Sequence, residues 1–210
     1  MTSSQFRERL TSRAHAANVP IESALADRFE AYYRLLATWN KRINLTSLDL
    51  DSLPADAVDR LFIEPLAAAR FAERETVALD VGSGGGSPAI PFAIAAGVRA
   101  LTMVESKSKK SVFLREAARA AALSNATVVT ARFETMARSR DFERLFQLMT
   151  VRAVRIDERA WRSFALPLCV GGSLFLFHRA HLADLNGQTL SFVSTNELTA
   201  NGRLTIFSRV

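Results

Sequence analysis

One stretch decides the fold, and it reads Val77-Ala78-Leu79-Asp80-Val81-Gly82-Ser83-Gly84-Gly85-Gly86-Ser87. Its first half is an apolar run that carries an aspartate, and its second half opens into glycines. After Pro88 the chain continues as Ala-Ile-Pro-Phe-Ala-Ile-Ala-Ala, which predicts a helix. A strand, a glycine turn and a helix in this order bring backbone N–H groups and a helix N-terminus close to a ligand.

The glycines alternate after the aspartate in the complete order Asp80-x-Gly82-x-Gly84-x-Gly86. Gly82 and Gly84 allow a tight turn with positive φ, and Gly86 allows close approach of the backbone. A second apolar run ends at Glu105, about 20 residues after the last glycine, which is the spacing of a carboxylate that binds ribose hydroxyls. The alternative is a glycine-rich surface turn beside an ordinary acid at a strand end. Because both halves of the signature occur in one βαβ unit, we expect a nucleotide-type pocket.

Composition excludes several classes of protein. Hydrophobic residues make up 49% of the 210 residues and charged residues 23%, which suits a folded core and argues against disorder. No apolar run reaches the roughly 18 residues of a membrane span, and the N-terminus lacks an apolar signal region. Cys169 is the single cysteine, so a disulfide within the chain and a cysteine-based zinc cluster are excluded. We expect a cytoplasmic monomer with no metal site.

The net charge of +6 favours a polyanionic partner. Three of the few lysines, Lys107, Lys109 and Lys110, stand together at the start of a predicted helix. Exposed cations there oppose the helix dipole at a cost of about 0.3–1 kcal/mol each. A phosphate bound nearby would offset this cost, and a solvated basic turn is an equally good interpretation.

Hydrophobic periodicity divides the chain into a helical part and an α/β part. Helices are predicted at 4–18, 21–40 and 54–71, with no convincing strand before residue 76. Strands at 77–81, 101–105, 127–130 and 145–151 then alternate with helices at 88–96, 108–123 and 134–138. A helix at 159–169 is expected to stop at Gly171-Gly172. Strands at 173–177, 190–193 and 203–207 follow, the last two separated by the turn residues Asn196 and Asn201-Gly202.

Alternating strands and helices predict a parallel sheet, and the last two strands predict an antiparallel pair. A plain NAD-binding domain would not show that pair. It suits the Rossmann-like, α/β fold of S-adenosylmethionine (SAM) dependent methyltransferases, a mostly parallel sheet with an antiparallel last strand. We therefore expect this fold in residues 76–210, SAM as cofactor, and an N-terminal helical extension over residues 1–75 that packs on the main domain.

The residues after the fourth predicted strand limit the kinds of acceptor atom that could be methylated. Methylation of an exocyclic amino group needs a polar clamp such as Asn/Asp-Pro-Pro-aromatic, and this chain has Thr150-Val151-Arg152-Ala153 instead. Methylation of pyrimidine C5 needs a cysteine nucleophile, whereas Cys169 lies in an apolar helix end and suits the core better. A ring nitrogen such as guanine N7 has a free lone pair and no proton to remove. It needs only to be held in line with the sulfonium methyl group.

Polar residues after other strands are further candidates. Arg132 and Arg152 each follow a β segment, and ligands of open α/β sheets bind at the carboxyl ends of the strands. Phe133 and Glu134 could flank and hydrogen-bond adenine. The alternative for Glu134 is a helix cap.

Five blocks of the chain together form a family pattern. They are Trp39-Asn40-Lys41-Arg42-Ile43-Asn44-Leu45-Thr46, Asp80-Val-Gly-Ser-Gly-Gly-Gly86 with Ile90-Pro91, Glu105-Ser106-x4-Val112-Phe113-Leu114-Arg115, Arg132-Phe133-Glu134, and Arg152-Ala153. This pattern, which spans nearly the whole chain, resembles the bacterial small-subunit rRNA guanine-N7 methyltransferases, also called the glucose-inhibited division protein B family. The first block is the most specific, because SAM binding alone does not require it.

The resemblance implies methyl transfer from SAM to N7 of a guanine in the 530 loop of 16S rRNA, free or in the small ribosomal subunit. With the glycine signature, it implies cofactor contacts for Asp80, Gly82, Gly84, Gly86, Ser87, Glu105, Phe133, Glu134 and Arg152. The resemblance also implies that Lys107, Arg132 and Arg152 lie on the RNA side of the site, and the lysine cluster adds Lys109 and Lys110 as candidate RNA contacts. Arg152 would orient the reacting groups, and no general base is required.

Several positions depart from the family pattern. Ser87 replaces a bulky residue, Leu61 a histidine, and Glu64-Pro65 an Asp-Ser pair. His178-Arg179 stands where the family has Lys-Gly, and Gln147 replaces an acid. Three other interpretations of the function therefore stay open: a divergent paralogue with another RNA target, an RNA-binding protein without catalysis, and a small-molecule methyltransferase.

Overall fold

Seven strands form one sheet in the part of the chain that the structure, a computed structural model, describes, namely residues 1–179 and 189–210. The strands are β1 (Val77–Val81), β2 (Ala100–Glu105), β3 (Ala126–Thr130), β4 (Phe146–Arg152), β5 (Leu168–His178), β6 (Leu190–Glu197) and β7 (Arg203–Arg209). Their order is β3-β2-β1-β4-β5-β7-β6, with β1 to β5 parallel and β7 antiparallel to both neighbours. The predicted parallel sheet with an antiparallel end is confirmed.

Helices surround this sheet. The N-terminal ones are α1 (Ser3–Ala16), α2 (Ser23–Asn40), α3 (Ala55–Val58) and α4 (Glu64–Ala68), with a π-helical turn at Asp59–Ile63 and a 3-10 turn at Ala69–Phe71. Those after the strands are α5 (Ala89–Ala96), α6 (Ser108–Ala120), α7 (Phe133–Met136) and α8 (Glu158–Phe164). Chain order reverses between β1 and β4, because β2 and β3 lie on one side and β4 on the other. Ligands of doubly wound folds bind at this switch point.

The prediction for residues 159–172 is wrong. Helix α8 ends at Phe164, and β5 begins at Leu168 and passes straight through Gly171 and Gly172. The pairing of β4 with β5 is irregular here, and Gly171 has a φ of +78°. The glycines therefore accommodate a bulge in a strand instead of ending a helix. Cys169 is half-buried in this strand and not in a helix end. Asn196 likewise lies within β6, so the turn falls at 198–202.

The two faces of the sheet carry separate apolar cores. On one face, Phe62 contacts Phe6, Phe29 and Tyr32 with ring centroids 5.6, 5.4 and 6.1 Å apart, and this cluster continues into α5, α6 and the sheet. On the other face, Trp161 packs edge-on against Phe207 at 4.8 Å. The N-terminal helices thus cover a face of the sheet that would otherwise expose apolar side chains. No helix within the described ranges is both long and apolar enough to cross a membrane.

Candidate active site

The glycine turn after β1 has the backbone geometry that its sequence predicts. Gly82, Gly84 and Gly86 have φ values of +70°, +51° and +89°. The N–H groups of Gly82 and Ser83 donate to the carbonyl of Val104 at 2.9 and 3.1 Å, which ties the turn to the end of β2. The strand therefore ends in an open backbone loop at the switch point of the sheet.

At Gly86, the groups that come close to the backbone are side chains of the protein itself. A Cβ atom at Gly86 would lie 2.9 Å from Ile90 Cδ1 and 3.2 Å from Tyr32 Cε2. At Gly84, by contrast, the nearest atom to such a Cβ is the Gly82 carbonyl oxygen at 3.6 Å. Gly86 thus serves packing, whereas Gly84 presents its open side to the neighbouring cavity.

The family-specific block at 39–46 forms a wall opposite the glycine turn. The Asn40 carboxamide accepts hydrogen bonds from the N–H groups of Leu45 and Thr46 at 2.9 and 3.0 Å, and donates to the Thr46 carbonyl at 3.1 Å. An asparagine that replaces missing backbone partners in this way fixes a loop. The Leu45 carbonyl then lies so near Gly85 that a Cβ there would be only 3.1 Å away.

A cavity of about 600 Å³ lies between this wall and the carboxyl ends of β1 and β4. Such a volume is typical of small-molecule sites. The residues that line it are Leu36, Asn44, Leu45, Thr46, Ser47, Leu48, Arg60, Leu61, Gly82, Ser83, Gly84, Gly85, Ser87, Lys110, Arg152, Ala153 and Arg179.

Two carboxylates, Asp80 and Glu105, lie beside the glycine turn. Asp80 is buried and accepts a 2.6 Å hydrogen bond from the Thr150 hydroxyl through Oδ1, while its Oδ2 has no partner among the described residues. Burial raises the pKa of Asp80 to about 6, against the hydrogen bonds of the Ser83 and Thr150 side chains and the charge of Arg152. Glu105 accepts from the Gly84 N–H at 3.0 Å and from the Lys107 N–H at 2.8 Å. Each carboxylate oxygen can accept more than one hydrogen bond, so Glu105 keeps acceptor capacity.

Arg152, at the end of β4, is almost completely buried, and four groups contact its guanidinium. It donates to Glu64 Oε2 at 2.7 Å, to the Arg60 carbonyl at 2.5 Å and to the Ser87 hydroxyl at 3.2 Å. Its guanidinium also stacks 4.7 Å from the centre of the Phe177 ring. Burial lowers the pKa of Arg152 to about 10, against the charge of Glu64. The side chain therefore stays cationic at neutral pH.

The Arg60 carbonyl is free to accept because of the local helix geometry. In the π-turn the Glu64 N–H donates to the carbonyl of Asp59, five residues back. The other helical donor within reach of Arg60 would be residue 65, and Pro65 has no N–H. Single π-turns inside helices are frequent at functional sites.

Pro65 also deprives the Leu61 carbonyl of its α-helical donor. The Ser87 hydroxyl lies 3.0 Å from this oxygen and 3.3 Å from that of Arg60. Two departures from the family pattern, Pro65 and Ser87, are thus parts of one arrangement. Pro65 removes the α-helical donor of the Leu61 carbonyl, and Ser87 supplies a hydroxyl donor to the same oxygen.

The structure gathers some of the predicted site residues and separates others. Gly82, Gly84, Ser87, Arg152 and Lys110 line the cavity, and Asp80, Gly86 and Glu105 support it. Phe133 is buried in the other core, with its ring 5.5 Å from that of Phe164. Glu134 is half-buried in the first turn of α7. Three cations outside the cavity lining are exposed near the carboxyl ends of β2 and β3: Lys107, Lys109 and Arg132.

Sequence reasoning missed several residues at the cavity. Arg60 and Arg179 add cations to its lining, and Leu36 adds an apolar contact. In the sequence, Glu64 is notable only as a departure from the family pattern, although in the structure it forms an ion pair with Arg152. The signal that could have found Glu64 and Arg60 is Pro65, because a proline inside a helix frees carbonyl groups.

Comparisons with known proteins agree with this architecture. The sequence model of the GidB family, described as rRNA small subunit methyltransferase G, matches residues 25–196. The ribosomal RNA small subunit methyltransferase G of Bacillus velezensis is 31% identical over 180 residues, which cover 84% of this chain and 73% of that protein. The protein of the same name from Stutzerimonas stutzeri is 36% identical over 144 residues, or 68% of this chain and 66% of that protein.

Solved structures support the fold alone. A mutant of MtNAS in complex with S-adenosylmethionine aligns with a TM-score of 0.58 and 15% identity, covering 100% of this chain and 92% of that chain. TrmN from Thermus thermophilus aligns with a TM-score of 0.54 and 17% identity, covering 70% of this chain and 48% of that chain. The expected methyltransferase fold is therefore confirmed. The chain belongs to the GidB, or rRNA small subunit methyltransferase G, family of SAM-dependent methyltransferases.

Proposed function

We propose that this protein transfers a methyl group from SAM to N7 of a guanine in the 530 loop of 16S rRNA. The observation that carries the proposal is the cavity at the carboxyl ends of β1 and β4. It joins an open glycine turn to the family-specific wall at 39–46 and to a set of cations. The first feature suits a nucleoside cofactor, and the last suits a polyanionic substrate.

The residues present fit the cofactor. Gly82 and Gly84 expose backbone at the cavity without side chains, and Glu105 beside them has acceptor capacity for ribose hydroxyls. Asp80 has a buried oxygen without a partner among the described residues, which can accept from a donor on a bound molecule. We assign the adenosine end of SAM to Gly84, Glu105, Phe133 and Glu134, whereas Gly86 supports the turn through its packing against Ile90 and Tyr32. We assign the amino-acid end of SAM to Asp80, Gly82, Ser87 and Arg152.

SAM supplies an electrophilic methyl group on a sulfonium. The protein has only to bind and orient the acceptor, because guanine N7 carries no proton and needs no base. Arg152 is immobilised by four partners, so it can orient neighbouring groups without cost at the moment of reaction. Lys107, Lys109, Lys110 and Arg132 would bind phosphates of the RNA near the cavity.

The decisive experiment measures methyl transfer from labelled SAM to small ribosomal subunits that lack guanine-N7 methylation, with free 16S rRNA in parallel. Incorporation that maps to N7 of a 530-loop guanine supports the proposal and identifies the preferred substrate form. Absence of incorporation into either substrate, with SAM binding intact by calorimetry, overturns the proposed acceptor. Loss of SAM binding overturns the proposed cofactor as well.

A second candidate function is methylation of another RNA. The departures from the family pattern favour it, because three of them line the cavity: Leu61, Ser87 and Arg179. His178 is engaged with the Thr205 hydroxyl at 2.9 Å and is not a simple replacement for a lysine. Labelled SAM offered to total RNA from a strain lacking this gene distinguishes the two candidates by the size of the labelled species.

A further inference from the structure

Glu64 and Arg152 form a buried ion pair at the edge of the cavity. Their side chains are 4% and 7% exposed, and Glu64 Oε2 lies 2.7 Å from the guanidinium. The turn between β6 and β7 covers the other side of this carboxylate, since Gly202 packs against it with no room for a side chain. Glu64 Oε1 has no hydrogen-bond partner within the described ranges. A carboxylate buried this way has a large desolvation cost, which its ion pair must offset.

Methyl transfer moves a positive charge inside such a cavity. The N7 lone pair forms the new N–CH₃ bond, and the electron pair of the breaking S–CH₃ bond goes to sulfur. Sulfur changes from cationic to neutral, and the purine ring becomes cationic. An uncompensated buried guanidinium would repel the charge on the bound cofactor, and repulsion is strong where water is excluded. A neutral ion pair avoids this repulsion.

We propose that Glu64 is a positioning residue that orients Arg152 and cancels its charge, so that the cavity accepts the sulfonium of SAM. The inference rests on the proposed use of SAM in this cavity, and not on the identity of the RNA. It makes Glu64 a determinant of the affinity for SAM relative to S-adenosylhomocysteine (SAH). SAH has the same groups without the methyl and without the positive charge on sulfur.

In the described part of the chain, the other carboxylates near the cavity do not contact Arg152, and Asp80 acts on it only through space. Asp80 lies on the β1 side and accepts from Thr150, whereas Glu105 accepts from two backbone N–H groups. Arg60, Lys110 and Arg179 add positive charge to the lining. Glu64 is the carboxylate that contacts Arg152 directly among the described residues.

The test is the ratio of the dissociation constants for SAM and SAH, measured by calorimetry at pH 8. We expect Glu64→Gln to weaken SAM relative to SAH by about tenfold, because a unit charge then acts on the sulfonium alone. Glu64→Asp keeps the charge and should keep the wild-type ratio. The double variant Glu64→Gln/Arg152→Met removes both charges and should restore the ratio to within about threefold, since apolar replacements of buried ion pairs are often tolerated.

An equal change in both affinities for Glu64→Gln would overturn the inference, because loss of structure alone affects both ligands alike. A double variant that keeps the altered ratio would overturn it too. Arg152→Met creates the opposite imbalance and should favour SAM by a few-fold, which supplies the same test if Glu64→Gln does not fold. Wild-type protein that binds neither ligand overturns the proposed cofactor and this inference together. SAM binding without rRNA methylation overturns only the acceptor.

Discussion

The Tyr32 hydroxyl donates a 2.6 Å hydrogen bond to the carbonyl of Gly85, and so joins helix α2 to the glycine turn. Tyr32 is fully buried, and burial raises its pKa well above the usual range, so the hydroxyl remains a donor at any ordinary pH. Its ring also packs where a side chain at Gly86 would stand. The N-terminal helices therefore take part in shaping the turn that faces the cavity.

Tyr32→Phe should weaken SAM binding. The substitution leaves a buried carbonyl without its partner, at a cost of about 1–3 kcal/mol, and loosens the turn. Tyr33→Phe is the matched control, because the Tyr33 hydroxyl makes a 2.6 Å bond to the Leu50 carbonyl. Both variants should lose stability in denaturant unfolding, and only Tyr32→Phe should raise the SAM dissociation constant. Equal SAM affinity in the two variants would mean that the bond serves stability alone.

Gly84→Ala should leave the fold intact and reduce SAM affinity by at least about tenfold, because the methyl group enters a cavity where backbone meets ligand. Gly84 has a φ of +51°, so alanine is strained there by about 1 kcal/mol. Gly97→Ala is the control. It carries the same kind of strain at a φ of +63°, at the far end of α5. If both variants bind SAM as the wild type does, the cofactor does not approach Gly84.

The glycine turn was predictable because its signals are local. A strand, three spaced glycines and an acid at the end of the next strand all fall within about 30 residues of one βαβ unit. Gly171-Gly172 was misread because a glycine pair permits both a helix stop and a strand bulge. What decides between them is the pairing of β5 with β4, which local periodicity does not contain.

The ion pair of Arg152 with Glu64 illustrates a second limit. The two residues lie 88 positions apart in the chain and meet only because a helix and a strand end pack together. Phe133 follows β3 as the pattern predicts, yet its contact with Phe164 depends on where α8 lies. Sequence thus predicted which strand ends carry polar residues, whereas the contacts that these residues make depend on tertiary packing.

The titration of Asp80 should be visible in the stability of the protein. Its folded-state pKa of about 6 exceeds the ordinary value of about 3.9. Between these values the folded protein binds more protons than the unfolded chain, so the free energy of unfolding falls as pH rises through this window. The substitution Asp80→Asn removes this pH-dependent fall in the free energy of unfolding. Relative to wild type, the variant should gain about 2 kcal/mol between pH 4 and pH 8 in denaturant unfolding. A constant difference across this range would show that Asp80 titrates normally.

The lysines Lys107, Lys109 and Lys110 should set the salt dependence of RNA binding. They lie at the start of α6, beside or in the cavity lining, and their charges are not matched by acidic residues in the first turn of that helix. Replacement of all three by glutamine should weaken binding to 16S rRNA and reduce the slope of log K against log salt by about 2, since each phosphate contact contributes about 0.7.

The matched control removes the same charge from another surface. Arg70, Arg74 and Arg99 are exposed and precede β1 and β2, at the opposite end of the sheet from the cavity. Their replacement by glutamine changes the net charge equally, from +6 to +3, by loss of three positive charges. Filter binding across a salt series compares the two triple variants with wild type. If the slopes of both variants fall alike, net charge and not the α6 surface governs RNA binding. A reduced slope in the lysine variant alone locates the phosphate contacts at the mouth of the cavity, as the proposed methylation of a guanine in 16S rRNA requires.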